Sequence, residues 1–266
     1  MEMDKTSNKK QERRQRILTK IYKTGHVSVR DLAEDMVVSE ATVRRDLRAL
    51  AANTQLEMVY GGATLPRVSD FSFRSKSLRN VGAKRVIGRL AAALVSDDEQ
   101  LLVDSGTTCF EMVQSLKSRR GLSIVVNSAR LALELGQTQG LKVIMLGGLY
   151  RPDRMDSVGP LATATLDQLR GYLAFIGADG LNMEFGVAAS DIESAHLYRL
   201  AVRNSRETIL LVDHTKFDSA SLFKIVDWDF ISRVVTDQRP RSEWTQFLDG
   251  KGVDLIYPDE DSTEPD

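Results

Sequence analysis

Polar and glycine residues collect where short apolar runs end. Leu101-Leu102-Val103 exits into Asp104-Ser105-Gly106-Thr107-Thr108, and a helical pattern follows. Gly106 lets the backbone turn sharply, while hydroxyls and the first N–H groups of the helix converge on one spot. Such a spot attracts an anion, most naturally a phosphate. The same residues equally suit an ordinary Ser/Thr helix cap. The Gly-Lys-Ser/Thr element of a nucleotide-binding Walker loop is missing. Four more runs end alike: in Asn127-Ser128, in Gly147-Gly148 with Arg151, in Gly177-Ala178-Asp179-Gly180, and in Asp213-His214-Thr215-Lys216. Each alone has a plain reading as a turn, a cap or a surface pair. Together they offer hydroxyls and N–H groups for a phosphate, carboxylates for sugar hydroxyls, and Arg151 or Lys216 for anionic charge. A small phosphorylated sugar or polyol would use all three.

A second chemistry lies near the N-terminus. Val38-Ser39-Glu40-Ala41-Thr42-Val43-Arg44-Arg45-Asp46-Leu47 reads as the second helix of a helix-turn-helix. Ser39 is placed to cap it. Val43, Leu47 and Leu50 recur at helical spacing, leaving Ala41, Thr42, Arg44, Arg45 and Arg48 on the other sides. The N-terminal part of such a helix meets base edges in the major groove. Two adjacent arginines by themselves would be a solvated surface; the surroundings favour a duplex. Ser28-x-x-Asp31 has the capping-box form before Leu32 and Met36, and residues 13–24 carry Ile17, Leu18, Ile21 and Tyr22 on one side up to Gly25. Residues 56–60 alternate weakly into Gly61-Gly62, as a short β-wing would. The candidate DNA contacts are Ser28, Ser39, Ala41, Thr42, Arg44, Arg45 and Arg48. Lys9, Lys10, Arg13, Arg14 and Arg16 suit either a phosphate-tracking arm or a solvated one.

The elements that must position these residues define an α/β chain. Helix patterns cover 84–95, 109–116, 129–135, 159–169, 193–205 and 244–248. Between them lie short apolar, β-branched runs at 101–103, 124–126, 143–146, 173–176, 209–212, 234–235 and 255–256, as strands buried on both faces should be. This alternation predicts a mainly parallel sheet with helices on each side. Ligands bind such sheets outside the carboxyl ends of the strands. The expected organisation is a winged helix-turn-helix over 1–65, a linker over 66–82 into which Phe71 and Phe73 bring docking side chains, a sensor domain over 83–258 and an acidic, disordered tail over 259–266.

Composition narrows the class. The 266 residues are 42% hydrophobic and 27% charged, the balance of a folded globular protein. Residues 1–65 hold twelve Lys/Arg against nine Asp/Glu, leaving 24 against 28 for the rest, so a slightly basic head precedes an acidic body. No run is long enough to span a membrane, and the charged N-terminus has no signal-peptide core. Cys109 is the single cysteine, which excludes an intrachain disulfide and a cysteine zinc site; a cytoplasmic location is expected. His26, His196 and His214 have no metal-ligand spacing, and no Gly-x-Ser-x-Gly element occurs. His214 reads as a loop histidine outside any catalytic pair. No catalytic residue, metal or cofactor is expected.

Taken together, the 38–47 run, Gly61-Gly62-Ala63 and the five strand-end motifs resemble the DeoR family of bacterial transcription regulators over nearly the whole chain. The resemblance implies a C-terminal domain similar in fold to ribose-5-phosphate isomerase, with the 104–108 loop holding a phosphate. Asp179, Asp213 and Lys216 would contact the rest of the effector. It implies a homo-oligomer, dimer or tetramer, that represses a carbohydrate-use operon and leaves double-stranded DNA when a phosphorylated sugar or polyol binds. Two positions depart from the family pattern. Asn53-Thr54 stands where a glycine usually ends the recognition helix; asparagine tolerates the left-handed turn. Met58 stands where the wing tends to carry an arginine, which shifts affinity onto the recognition helix. An aldose–ketose isomerase is the alternative, suggested by fold alone, with nothing in the sequence to choose a base among Asp179, Asp213 and Glu193.

Overall fold

A computed structural model describes residues 2–53, 56–64 and 72–258. The chain forms two compact units, Met1–Arg79 and Asn80–Asp266.

The first unit contains helix α1 (Glu2–Thr24), strand β1 (His26–Ser28), helices α2 (Val29–Met36) and α3 (Glu40–Asn53), strands β2 (Glu57–Val59) and β3 (Gly62–Thr64), and the short helix α4 (Phe73–Ser77). Ile17 and Ile21 of α1, Leu32 of α2, and Val43 and Leu47 of α3 are fully buried together. Ser28 closes β1 and caps α2, accepting the Asp31 N–H at 3.3 Å. Helix α2 ends at Val37, whose left-handed φ of 53° turns the chain sharply toward α3. A β-branched side chain rarely adopts that conformation, and Val37 is 89% exposed, so nothing packs there in return.

Strands β1, β3 and β2 form an antiparallel three-stranded sheet, and the β2–β3 hairpin is the wing. Gly62 fixes it against β1: a Cβ there would stand 2.0 Å from the Val27 carbonyl oxygen. The Val29 N–H also donates to the Gly61 carbonyl at 2.8 Å. The periodicity of 13–24 understates α1, and β1 went unseen because three residues are too few to alternate. The turn after α3 at Thr54, the segment 65–71 and the acidic tail 259–266 lie outside the described residues.

The second unit runs α5 (Val81–Ala93), β4 (Gln100–Val103), α6 (Thr107–Leu116), β5 (Ser123–Val126), α7 (Ala129–Gly136), β6 (Lys142–Met145), β7 (Leu149–Arg151), β8 (Asp156–Val158), α8 (Pro160–Leu166), β9 (Leu173–Gly177), β10 (Gly180–Asn182), β11 (Gly186–Ala189), α9 (Ile192–Asn204), β12 (Glu207–Leu211), β13 (Phe223–Val226), β14 (Arg233–Val235), α10 (Ser242–Gly250) and β15 (Asp254–Ile256). Seven of these strands form one parallel sheet in the order β15-β14-β12-β9-β4-β5-β6. Apolar clusters cover both of its faces. That is why its strands read as unbroken apolar runs instead of alternating ones. Chain order proceeds from β4 outward through β5 and β6, then returns to β9 on the other side of β4. The crevice between the carboxyl ends of β4 and β9 is therefore the topological switch point, where such sheets take their ligands.

Some elements fall in stretches read as loops. Strands β7 and β8 pair as an antiparallel hairpin, and β10, β11 and β13 form a separate antiparallel sheet. These strands are three or four residues long and hold glycine or polar residues, so they carry neither period. Within the stretch expected as linker, α4 is helical with Phe73 buried, and α5 begins at Val81.

Candidate functional site

On α3 the face that carries the candidate contacts is outward. Ser39 accepts the Thr42 N–H at 3.3 Å and exchanges a hydroxyl hydrogen bond with Thr42 at 2.9 Å, which sets the helix start. Ala41, Arg44, Arg45 and Arg48 are exposed and Thr42 is half-buried. Arg44 pairs with Glu40 one turn earlier at 2.9 Å. Among the described residues none pairs with Arg45 or Arg48, so two cations stand uncommitted beside the exposed Ala41. Ser28 is partly exposed at the start of α2. The wing beside them carries no cation between Glu57 and Gly62; Met58, Val59 and Tyr60 are exposed instead.

The third member of Arg44-Arg45-Asp46 does something the sequence did not disclose. Asp46 is 1% exposed and accepts from Arg13 Nε at 2.7 Å and Arg14 Nε at 2.9 Å. Burial pushes its carboxyl up, but the two guanidinium hydrogen bonds prevail and hold it below the usual carboxylate range. Arg13 and Arg14 are thus an internal clasp between α1 and α3, which answers the question of whether they form a loose arm. Lys10 and Arg16 remain exposed.

At the switch point of the second unit, Asp104 faces inward. Its two oxygens accept the N–H groups of Gly106 and Gly177, each at 2.6 Å, tying the loop after β4 to the end of β9. Ser105 is also buried, bonded to Tyr198 Oη at 2.8 Å and to Asp156 at 3.1 Å. Burial drives the Tyr198 phenol well above its ordinary pKa, so it stays a neutral hydrogen-bonding group. Thr107 is buried, whereas Gly106 and Thr108 are half-exposed. Gly106 precedes α6 without a side-chain cap, leaving the first-turn N–H groups facing the loop.

The strand-end groups farther along β5 and β6 also serve the scaffold. Asn127 Nδ2 donates to the Ser157 carbonyl at 3.2 Å, and Ser128 caps α7 while bonding the Met155 carbonyl at 3.4 Å. Gly147 and Gly148 are exposed, and a Cβ on Gly148 would stand 2.5 Å from the Val158 carbonyl oxygen. Arg151 grips Asp156 through Nε at 2.8 Å and Nη2 at 2.7 Å, Asp191 through Nη1 at 2.7 Å, and Ser194 at 2.9 Å. Burial opposes its charge, yet the hydrogen bonds to Asp156 and Asp191 raise its pKa further. Arg154 completes the array by bonding Asp191. Asp179, half-exposed, accepts the Ser190 N–H at 2.8 Å, so the array joins β9 to the start of α9.

The loop after β12 closes the rim. Asp213 is 2% exposed and accepts from the Thr215 N–H at 3.0 Å and Asn80 Nδ2 at 3.1 Å. Burial raises its carboxyl, but the Thr215 hydroxyl, Lys216 and Lys84 outweigh this and hold it below the usual range. Lys216 is half-buried beside it. His214 is more than the loop residue expected: its Nδ1 lies 2.7 Å from Asp237 and its N–H donates to the same carboxylate at 2.8 Å. Two groups here were missed. Asp237 follows a strand too short to draw attention, and Lys84 passed as an ordinary helix lysine although it is 5% exposed. The signal for Lys84 was available: it occupies the apolar stripe of α5. Among the described residues no group of three or more His, Cys, Asp or Glu could hold a metal, and no helix is long and apolar enough to cross a membrane.

A small winged helix-turn-helix joined to a parallel α/β body with a loop-lined rim defines a class: a DNA-binding regulator with a sensing domain. The comparisons make it particular. Residues 13–68 match the DeoR-like helix-turn-helix domain, and residues 79–238 match the DeoR C terminal sensor domain. The chain belongs to the DeoR family of transcription regulators. It is 30% identical to the lactose phosphotransferase system repressor of Lactococcus lactis subsp. lactis, covering 86% of this chain and 92% of that one. It is 27% identical to the HTH-type transcriptional repressor GlcR of Bacillus subtilis (strain 168), over 94% of this chain and 97% of that one.

Among solved structures, the fold overlaps ribose 5-phosphate isomerase A from Methanocaldococcus jannaschii at a TM-score of 0.38 and 17% identity, covering 50% of this chain and 53% of that one. It overlaps eIF2B beta from Chaetomium thermophilum at 0.44 and 15% identity, covering 67% and 54%. Likeness that partial carries no argument about activity. The isomerase alternative has no support, since these sequence relatives are named as repressors.

Proposed function

We propose that this chain is a repressor of a carbohydrate-use operon whose grip on DNA is loosened by a phosphorylated sugar or polyol. The observation that carries the reading is the pairing, in one chain, of an uncommitted cationic face on α3 with a rim at the sheet's switch point where the start of α6 is uncapped. Arg45, Arg48, Thr42 and Ala41 face the major groove; Arg44, Ser39 and Ser28 lie at its margin. In the sensor, the N–H groups of Thr107 and Thr108 take the phosphate, while Lys216 and Asp179 meet the rest of the effector. Asp104, Ser105, Asn127, Ser128, Gly147, Gly148, Arg151 and Asp213 hold the loops in place. The working form is a cytoplasmic homo-oligomer, so that two heads read repeated half-sites. The reading head ends near residue 65, and sensing begins near 83.

An effector loosens DNA only by favouring a state that grips DNA less well. The test selects genomic fragments bound by the purified chain, then titrates sugar phosphates against the complex. A matching phosphosugar should weaken binding about 5- to 150-fold. If no phosphorylated sugar or polyol changes either DNA affinity or thermal midpoint, the sensor half of the reading fails. If no fragment is enriched, the DNA half fails.

A further inference from the structure

A buried lysine stands beside the uncapped start of α6. On α5 the buried stripe runs Lys84, Ile87, Gly88, Ala91, so an ammonium continues a row that is otherwise apolar. An apolar residue there would avoid the cost of desolvating a charge. Lysine is tolerated in such a place only with negative charge close by.

Helices α5 and α6 lie side by side and run in the same direction. At the rim, Asn80 just before α5 donates to Asp213 beyond the carboxyl end of β12. At the far end, Arg119 after α6 donates to the Ala92 carbonyl of α5 at 3.5 Å. Between these ends, Arg85 Nε is 3.7 Å from Glu111, and a Cβ on Gly88 would stand 2.7 Å from the backbone of Glu111 and Met112. One helical turn is about four residues. Stepping back one turn from Gly88 gives Lys84; the same step from Glu111 and Met112 gives Thr107 and Thr108. Lys84 is therefore level with the first turn of α6.

The charge balance at that point calls for a cation. The partial positive charge of a helix N-terminus is about half an elementary charge. Asp104 lies directly behind it, buried, with both oxygens on backbone N–H groups of the same rim. Its carboxylate offsets much of what the helix offers a dianion. Asp213, the other acid nearby, is already held by Thr215 and Asn80.

We propose that Lys84 is the cation that reads the phosphate group at the start of α6, with Asp213 as its resting partner. This rests on the sensor reading above and adds to it a residue and a partner exchange: the ammonium lies beside Asp213 without ligand and turns toward the phosphate when one arrives. Lys216, on the loop after β12, is left to the remainder of the effector.

The experiment uses the full chain and inorganic phosphate as the probe, against chloride at equal ionic strength. The wild-type thermal midpoint should rise with phosphate, and calorimetric titration should give its affinity. Lys84→Met should weaken that affinity at least tenfold and Lys84→Arg by less, while Lys142→Met, on the exposed edge strand β6, should change nothing. Because Lys84→Met takes a cation away from buried Asp213, Lys84→Met combined with Asp213→Asn removes both charges, and it too should lose the phosphate response while remaining folded. An unchanged affinity in either Lys84→Met background makes Lys84 a structural partner of Asp213 alone and overturns the proposal. A wild-type chain indifferent to inorganic phosphate also overturns it. If that chain still answers sugar phosphates, the sensor reading survives; if it answers none, both fall.

Discussion

The exposed face of α3 and the rim of the parallel sheet share residue types, arginine, serine and threonine, yet use them in opposite ways. On α3, Arg45 and Arg48 stand outward with no partner among the described residues. At the rim, Arg151, Asp156, Asp191, Ser105 and Tyr198 are bound to one another and turned inward. The difference follows from what each surface meets. A duplex brings its own dense array of charges and base edges, so a reading helix keeps its side chains uncommitted. A small ligand can contact only a few groups, and those must be held in place by others that never touch it. Residues of the same types are therefore outward and unpaired among the described residues on α3, and largely scaffold in the body.

This contrast can be broken by substitution. The largest effect is expected from Asp156→Ala, which breaks the bidentate bond to the half-buried Arg151 and leaves it only Asp191 and Ser194; it should cost the second unit about 3–5 kcal/mol. The denaturant midpoint measures it, and an unchanged midpoint would mean that the array is ornamental. Asp46→Ala leaves Arg13 and Arg14 unpaired but partly hydrated, so the first unit should lose less, about 2–3 kcal/mol. Arg45→Ala should leave stability within about 0.5 kcal/mol and weaken binding to a selected fragment about ten- to a hundredfold. Equal losses of stability and binding would show that Arg45 is not a reading group.

Acid sharpens the same contrast. The carboxyls of Asp46, Asp191 and Asp213 lie below the usual range: burial raises each, and hydrogen bonds together with the charge of neighbouring cations outweigh it. A depressed folded-state pKa stabilises fully above the unfolded value near 4 and loses that stability as pH falls through the folded value. Stability of both units should therefore drop below about pH 4, read by circular dichroism, while Asp46→Asn should flatten only the head's share. The smallest effect is expected at Val37. Val37→Gly relieves its left-handed strain and, with the side chain exposed, removes no packing. A gain of about 0.5–1 kcal/mol is expected by thermal denaturation, partly offset by the added freedom of the unfolded chain.

Much of this was legible from residue patterns. The helix-turn-helix could be read because its signals are local: Ser28 and Ser39 at caps, Val43 and Leu47 at one-turn spacing. The parallel sheet could be read because burial on both faces makes its strands uniformly apolar. The β7–β8 hairpin and the β10-β11-β13 sheet could not, since strands of three or four residues with glycine carry no period. Nor could the division of the rim into half-exposed groups and buried, mutually bonded ones. Asp104 and Asp156 are partnered across long stretches of chain, by Gly177 and by Ser105, and no spacing rule reaches that far. Lys84 was visible as a violation, a charge on an apolar stripe, but only burial gives that violation meaning.

The outward set of α3 has a consequence for how such proteins diversify. Ala41, Arg45 and Arg48 are exposed, and the wing's attitude is fixed by backbone contact at Gly62. On the proposed reading, replacing those side chains changes the message without disturbing the messenger. A duplicated copy could acquire a new genomic address in a handful of exposed substitutions while keeping the metabolite it answers to. The inner ring of the body permits no such drift, because every member is another member's anchor.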